Sequence, residues 1–141
     1  MGIRMANIKD WKAISDLLGQ LDYLDTETFI KDKIESLITH PDEELLVYED
    51  NERVIAFISM HYIPQIALIG GFARISYFAV DLSSRGKGIG QEIEEFCTEL
   101  ARKRHCDRLE VHCHSRRIDA HRFYSRQGYS ESPKYFIKMI K

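Results

Sequence analysis

The run Tyr77-Phe78-Ala79-Val80-Asp81-Leu82-Ser83-Ser84-Arg85-Gly86-Lys87-Gly88-Ile89-Gly90 passes from a strand-like pattern through a glycine-rich turn into a helical one. The chemistry open to such a turn is anion capture. The first backbone N–H groups of a helix have no internal partner, and the helix dipole places partial positive charge at the same end. Gly86, Gly88 and Gly90 permit positive φ and remove the Cβ that would hold a bulky pyrophosphate away from the backbone, while Arg85 and Lys87 add formal charge. The plain alternative is a glycine-rich turn carrying two solvated cations. Other phosphate signatures fit worse: Ile93 stands where a dinucleotide fingerprint wants its third glycine, and no Gly-Lys-Ser/Thr follows for a P-loop.

Further along, Asp119-Ala120-His121-Arg122-Phe123-Tyr124-Ser125-Arg126-Gln127-Gly128-Tyr129 carries a phenol inside a short helical pattern. Taken together, the two stretches resemble the GNAT superfamily of N-acetyltransferases. Arg85-x-x-Gly88-x-Gly90 after a strand ending at Val80 is similar to that family's acetyl-CoA motif, and Ala120 to Tyr129 is similar to its closing Ala-x-x-x-Tyr-x-x-x-Gly-Phe/Tyr segment. The resemblance covers about the last two-thirds of the chain; earlier residues match in element order only, in a region that commonly shapes the acceptor site. It implies that the turn Arg85, Gly86, Lys87, Gly88, Ile89 and Gly90 holds the CoA pyrophosphate, that the strand Phe78, Ala79 and Val80 pairs with the pantetheine arm, and that Tyr124 is the catalytic acid. It implies an α+β, GNAT-like acyl-CoA N-acyltransferase fold, with a central twisted, mostly antiparallel sheet flanked by helices.

The implied reaction is movement of the acetyl group of acetyl-CoA to a primary amine by direct transfer in a ternary complex. An alkylamine with a pKa of ~10.4 is almost wholly protonated at neutral pH, so something must take a proton before it attacks. A backbone N–H on the strand at Phe78 to Val80 would stabilise the oxyanion, and a phenol of ordinary pKa ~10 suits protonation of a thiolate of pKa ~8.5. None of the cysteines lies in a Cys-His nucleophile motif, which argues against an acyl-enzyme. Relatives often carry a glutamate on the strand before the turn, where Arg74, Ser76 and Tyr77 stand here, so His61, His112, His114 or a water chain remain as routes for the proton. Arg117 occupies the position, seven residues before Tyr124, at which many relatives have an asparagine that contacts pantetheine. On a strand, His112 and His114 share one face and Cys113 the other, so no metal site is expected from them.

Around Arg117 to Tyr124 the chain looks like bacterial aminoalkylphosphonate N-acetyltransferases, which suggests a small-molecule amine as partner. A protein or peptide amine is an alternative acceptor. Two further alternatives stand: a CoA-binding sensor of the same fold, favoured by the missing strand glutamate, and an interaction module presenting Tyr62, Phe72 and Tyr77 as an exposed patch.

The elements that must position these groups are legible in outline. The 141 residues, 44% of them apolar, fit one domain spanning 1–141, and the 20 basic against 22 acidic residues leave a net charge of -2, which speaks against nucleic acid or an anionic membrane as partner. No apolar run has the length of a membrane span, the first ten residues lack the apolar stretch of a signal peptide, and Cys97, Cys106 and Cys113 show no Cys-x-x-Cys spacing; a cytoplasmic protein with reduced thiols is expected. Homodimers are frequent in the family and nothing in the sequence decides the point.

Periodicity predicts a short strand at Ile3–Met5, a helix from Ile8 to Leu21 behind a cap at Asn7 or Asp10, and a second helix from Thr26 to Thr39. Strands follow at Glu44–Tyr48 and Val54–Ile63, joined through Glu49 to Glu52, then at Phe72–Val80. A helix from Gly88 to about Lys103, a strand at Arg108–Cys113, a helix at Asp119–Arg126 closed by Gly128, and an extended segment at Tyr129–Ile140 complete the order.

Overall fold

The computed structural model describes residues 2–113, 117–131 and 136–140. Its elements are β1 (Gly2–Met5), α1 (Trp11–Gln20), α2 (Ile30–Ile38), β2 (Glu43–Asp50), β3 (Arg53–Ile63), β4 (Phe72–Val80), α3 (Ile89–Lys103), β5 (Arg108–Val111) and α4 (Ile118–Arg126). The strands lie in chain order in one sheet, antiparallel throughout except for the parallel pair β4–β5, which α3 connects. The mixed α+β architecture expected from the element order is therefore present.

Alternation along the strands sorts side chains onto two faces. Leu46, Ile58, Met60 and Ile75 meet Ile89, Ile93, Cys97 and Ala101, which recur every fourth residue along α3. Leu45, Val47, Phe57 and Ala79 meet Ile14, Leu17 and Leu18 of α1 and Ile30 and Ile34 of α2. The sheet is thus covered on both sides, and truncating a wholly buried member such as Ile58 to alanine costs about 2–5 kcal/mol. The β2–β3 hairpin turns on Asn51 and Glu52, both at positive φ (50° and 63°), the handedness that matches strand twist.

Local chemistry sets where α1 begins. Asn7 caps a single 3-10 turn, Ile8–Asp10, through a reciprocal capping box with Asp10. Arg4 grips both oxygens of the buried Asp10 carboxylate at 2.9 Å and so ties β1 to the start of α1.

Four expectations need correction. The first helical segment opens as that 3-10 turn rather than as α-helix from Ile8. The second helix starts at Ile30, because Thr26 is buried and spends its hydroxyl on Ser15, 2.6 Å away. β5 ends at Val111, so His112 and Cys113 lie beyond it. The segment Tyr129–Ile140 forms no strand among its described residues, and Phe136, Ile137, Met139 and Ile140 are exposed; its β-propensity finds no described strand to pair with.

Candidate active site

Because β5 is short, its register with β4 stops at Ile75 opposite Val111, while β4 runs on to Val80. From Ser76 onward one flank of β4 has no strand beside it among the described residues. The sheet opens there into a fork. A β-bulge falls at the same place: Ser59 faces Tyr77 and Met60 faces Ile75, so Ser76 is the extra residue, and bulges redirect side chains where pairing ends.

A cleft of about 690 Å³ occupies the open flank. Phe78, Ala79 and Val80 form its floor, Arg85, Gly86, Gly88, Ile89 and Gly90 one end, and Arg117, Asp119, Ala120, Phe123 and Tyr124 its far wall. Of the residues expected to form the site, Lys87 alone does not line this cleft and is exposed to solvent.

The turn below β4 is held by its own residues. Asp81 caps a second 3-10 turn, Leu82–Ser84, accepting from the Ser83 amide and hydroxyl. Gln20, the last residue of α1, donates to the Asp81 carboxylate at 2.8 Å and accepts from the Leu82 amide at 3.0 Å. The Ser83 and Gln20 bonds together hold the Asp81 carboxyl below its usual range. Arg85 turns back to donate its Nε to the Val80 carbonyl at 3.1 Å.

Gly86 and Gly88 sit at φ of 80° and 81°, and a Cβ on either would find nothing within 4 Å. They face open space. Gly88 caps α3 in the left-handed region with no side chain bonded to the helix's first amides, so those N–H groups are available to an outside acceptor at the positive end of the dipole. At Gly90, in contrast, an added Cβ would stand 3.2 Å from the Phe123 ring, so the missing side chain is what lets α4 close over the start of α3.

Aromatic rings build the far wall. Phe123 meets Phe78 edge-on with centroids 5.8 Å apart, and Tyr124 lies between Phe123 and Tyr129, each at 5.3 Å. Tyr129 donates to the buried Glu94 of α3 at 2.9 Å, and Thr98 donates to the same oxygen at 3.0 Å. Burial first, then the neighbouring Cys113 and Glu94, push the Tyr124 phenol well above its usual value against the opposing pull of Arg117. The hydroxyl therefore holds its proton at neutral pH.

The histidines named as proton acceptors separate. His61 on β3 bonds Glu43 of β2 through Nδ1 and lies 2.6 Å from the Ser76 hydroxyl through Nε2. His112 is exposed and follows the end of β5, and His114 lies outside the described residues. Tyr62 is buried, with its hydroxyl on Glu44 at 3.2 Å, so the expected aromatic patch of Tyr62, Phe72 and Tyr77 does not form at the surface. Sequence reasoning missed Glu43, which carries no motif, and Phe123, whose pairing with Gly90 joins residues of two different helices.

Three comparisons bear on this geometry. The family model described as the acetyltransferase (GNAT) family matches residues 9–129. An aminoalkylphosphonate N-acetyltransferase of Salmonella typhimurium strain LT2 is 27% identical over 140 residues, covering 98% of this chain and 90% of its own. Among solved structures, a transcriptional regulator from Bacillus halodurans C-125 superposes with a TM-score of 0.87 at 21% identity, covering 98% of both chains. An aminoglycoside 6'-N-acetyltransferase from Acinetobacter haemolyticus superposes with a TM-score of 0.84 at 17% identity over the whole of both. At these identities the structural likeness speaks for the fold.

Proposed function

Since this chain belongs to the acetyltransferase (GNAT) family, we propose that it moves the acetyl group of acetyl-CoA to the primary amine of a small molecule. One observation carries the reading. The uncapped start of α3, with Gly86 and Gly88 facing open space, lies at the end of a cleft whose floor is the unpaired flank of β4.

That geometry fits the cosubstrate. Bare amides at a helix N-terminus suit a pyrophosphate, and side chains at Gly86 or Gly88 would project into the space it needs. The backbone groups on the flank of β4 that no described strand pairs suit an extended amide-containing arm, laid along β4 as an added strand. When bound, acetyl-CoA supplies an activated acyl group and a thiol leaving group. Tyr124 retains a proton at the wall of the same cleft, which supports a role for it in protonating the departing sulfur. The edge-on pair of Phe78 and Phe123 gives this part of the cleft an apolar lining, which strengthens hydrogen bonds made beside it.

A small amine is favoured because the relative that aligns with nearly the whole chain bears the name of an enzyme for small aminoalkyl compounds. Incubation of the protein with acetyl-CoA and a panel of small amines, read by mass spectrometry, tests the reaction, and calorimetry with CoA tests the cradle. An acetylated amine together with saturable CoA binding is expected. Binding without product would instead make the protein a sensor, and absence of binding would remove the cradle.

A further inference from the structure

Glu43, His61 and Ser76 form a chain of hydrogen-bonded groups that ends at the fork. In β3, Phe57, Ser59 and His61 alternate onto the face that α1 and α2 cover, and Glu43 is the cross-strand partner of His61. The bulge leaves Ser76 unpaired in register and brings its hydroxyl to His61 Nε2, while the same oxygen lies 3.3 Å from the Ser59 carbonyl. A carboxylate only accepts, so the bond to Glu43 requires the hydrogen on Nδ1. In the neutral tautomer Nε2 carries a lone pair, and the Ser76 hydroxyl can donate to it across the shorter of its two contacts, the other being to the Ser59 carbonyl. The Ser76 oxygen is left with lone pairs at an exposed position.

Ser76 is exposed on β4 two residues before Phe78, the first residue of that strand to line the cleft. β4 rises by about 3.3 Å per residue, which puts Ser76 ~7 Å along the strand from Phe78 on the cleft floor. Tyr124 stands at the other side of the sheet, against Tyr129 and hence against Glu94 of α3. Between them lies the flank of β4 that no described strand pairs.

We propose that Ser76, backed by His61 and Glu43, takes the proton that the acceptor ammonium must lose before it attacks. The inference rests on the acetyl-transfer reading above. In the step, an N–H bond of the ammonium breaks and an O–H bond forms on Ser76, whose own proton passes to His61 Nε2; the resulting imidazolium is paired with the Glu43 carboxylate. The freed nitrogen lone pair bonds to the acyl carbon, the C–S bond breaks, and the sulfur takes its proton from Tyr124. The second nitrogen proton passes, directly or through solvent, to the Tyr124 phenolate as the amide forms, and His61 releases its proton to solvent, returning through Ser76 to the starting state. The charges around His61 are Glu43 from β2, Arg74, its cross-strand partner on β4, and Glu110 of β5, which binds Arg74 at 2.9 Å.

His61→Gln is expected to lower kcat/KM about 100-fold, and Ser76→Ala to lower it about 10-fold. CoA affinity by calorimetry and the far-UV circular dichroism stay unchanged in both, which separates the effect from misfolding. Nitrogen NMR of the imidazole in the ligand-free protein is expected to show hydrogen on Nδ1, and Glu43→Gln to weaken that preference. An unchanged kcat/KM in His61→Gln, hydrogen on Nε2 in the resting protein, or an acetyl group trapped on Ser76 would overturn the proposal. Wild-type protein that acetylates no amine would overturn the underlying reading and this inference with it. Wild-type turnover with an indifferent His61→Gln removes the inference alone.

Discussion

Gly90 and Phe123 meet where α3 and α4 converge: the ring edge lies 3.2 Å from the point a Cβ would occupy on the glycine. The contact couples the start of the helix that would bear the pyrophosphate to the wall that holds Tyr124. Any side chain at position 90 must move Phe123, and Phe123 in turn is packed on Phe78 of the cleft floor. Gly90→Val is therefore expected to weaken CoA binding about tenfold, equivalent to ~1.4 kcal/mol, with a smaller effect at Gly90→Ala. Calorimetry on the two variants checks the order; equal affinity in all three proteins would show that α4 gives way freely.

Tyr124→Phe keeps the ring and its two aromatic contacts and removes only the hydroxyl. Turnover is expected to drop by roughly ten- to a thousand-fold while CoA affinity holds, because in the proposed reaction the lost group protonates the leaving sulfur. The raised phenol also sets a pH expectation: no alkaline loss of kcat should arise from Tyr124 up to pH ~10, since burial keeps it protonated beyond an ordinary tyrosine. Steady-state kinetics across pH tests both statements.

Stability should show its own acid dependence through Asp10. Burial alone would raise this carboxyl, but the bonds from Arg4 and from the Asn7 amide outweigh it and hold it below the usual range. A depressed folded value means that the stabilisation is complete above the unfolded pKa of ~3.9 and is lost as pH falls through the lower folded one. Asp10→Ala removes a cap and strands Arg4, and is expected to cost about 1–3 kcal/mol near neutral pH, with the gap from wild type closing in acid. Urea titrations at two pH values measure it.

Cys97 is fully buried under the sheet, and burial, with help from Glu94 and Glu44, pushes its thiol up to about 12. The thiolate is the reactive form, so alkylation by iodoacetamide at neutral pH should proceed at Cys106 and Cys113 while Cys97 waits for global unfolding. Peptide mapping after timed labelling reads the order directly.

Element order and the glycine turn were readable because both rest on local rules. Apolar residues every fourth position along Ile89, Ile93, Cys97 and Ala101 specify a one-sided helix whatever lies beneath, and Gly86 and Gly88 mark positive φ by type alone. Where the reading failed, the deciding partner was distant. Thr26 resembles a helix start until Ser15 claims its hydroxyl, and Tyr62 looks like surface until Glu44 accepts from it. The extended pattern of Tyr129–Ile140 records a propensity without naming a neighbour. Glu43 and Ser76 escaped for the same reason: the register of three strands, not a motif, brings them to His61.

Gln20 is not among the cleft-lining residues, yet its amide spans both sides of the junction where strand gives way to turn. Its neighbour Leu21 lines the cleft, and the connection to α2 departs from there. Remodelling that connection would hence start from a fixed hinge point, with the alignment of the glycine turn preserved as long as one glutamine is spared. On the proposed acetyl-transfer reading, breadth of acceptor choice and fidelity of cosubstrate placement would then be separable at a single side chain.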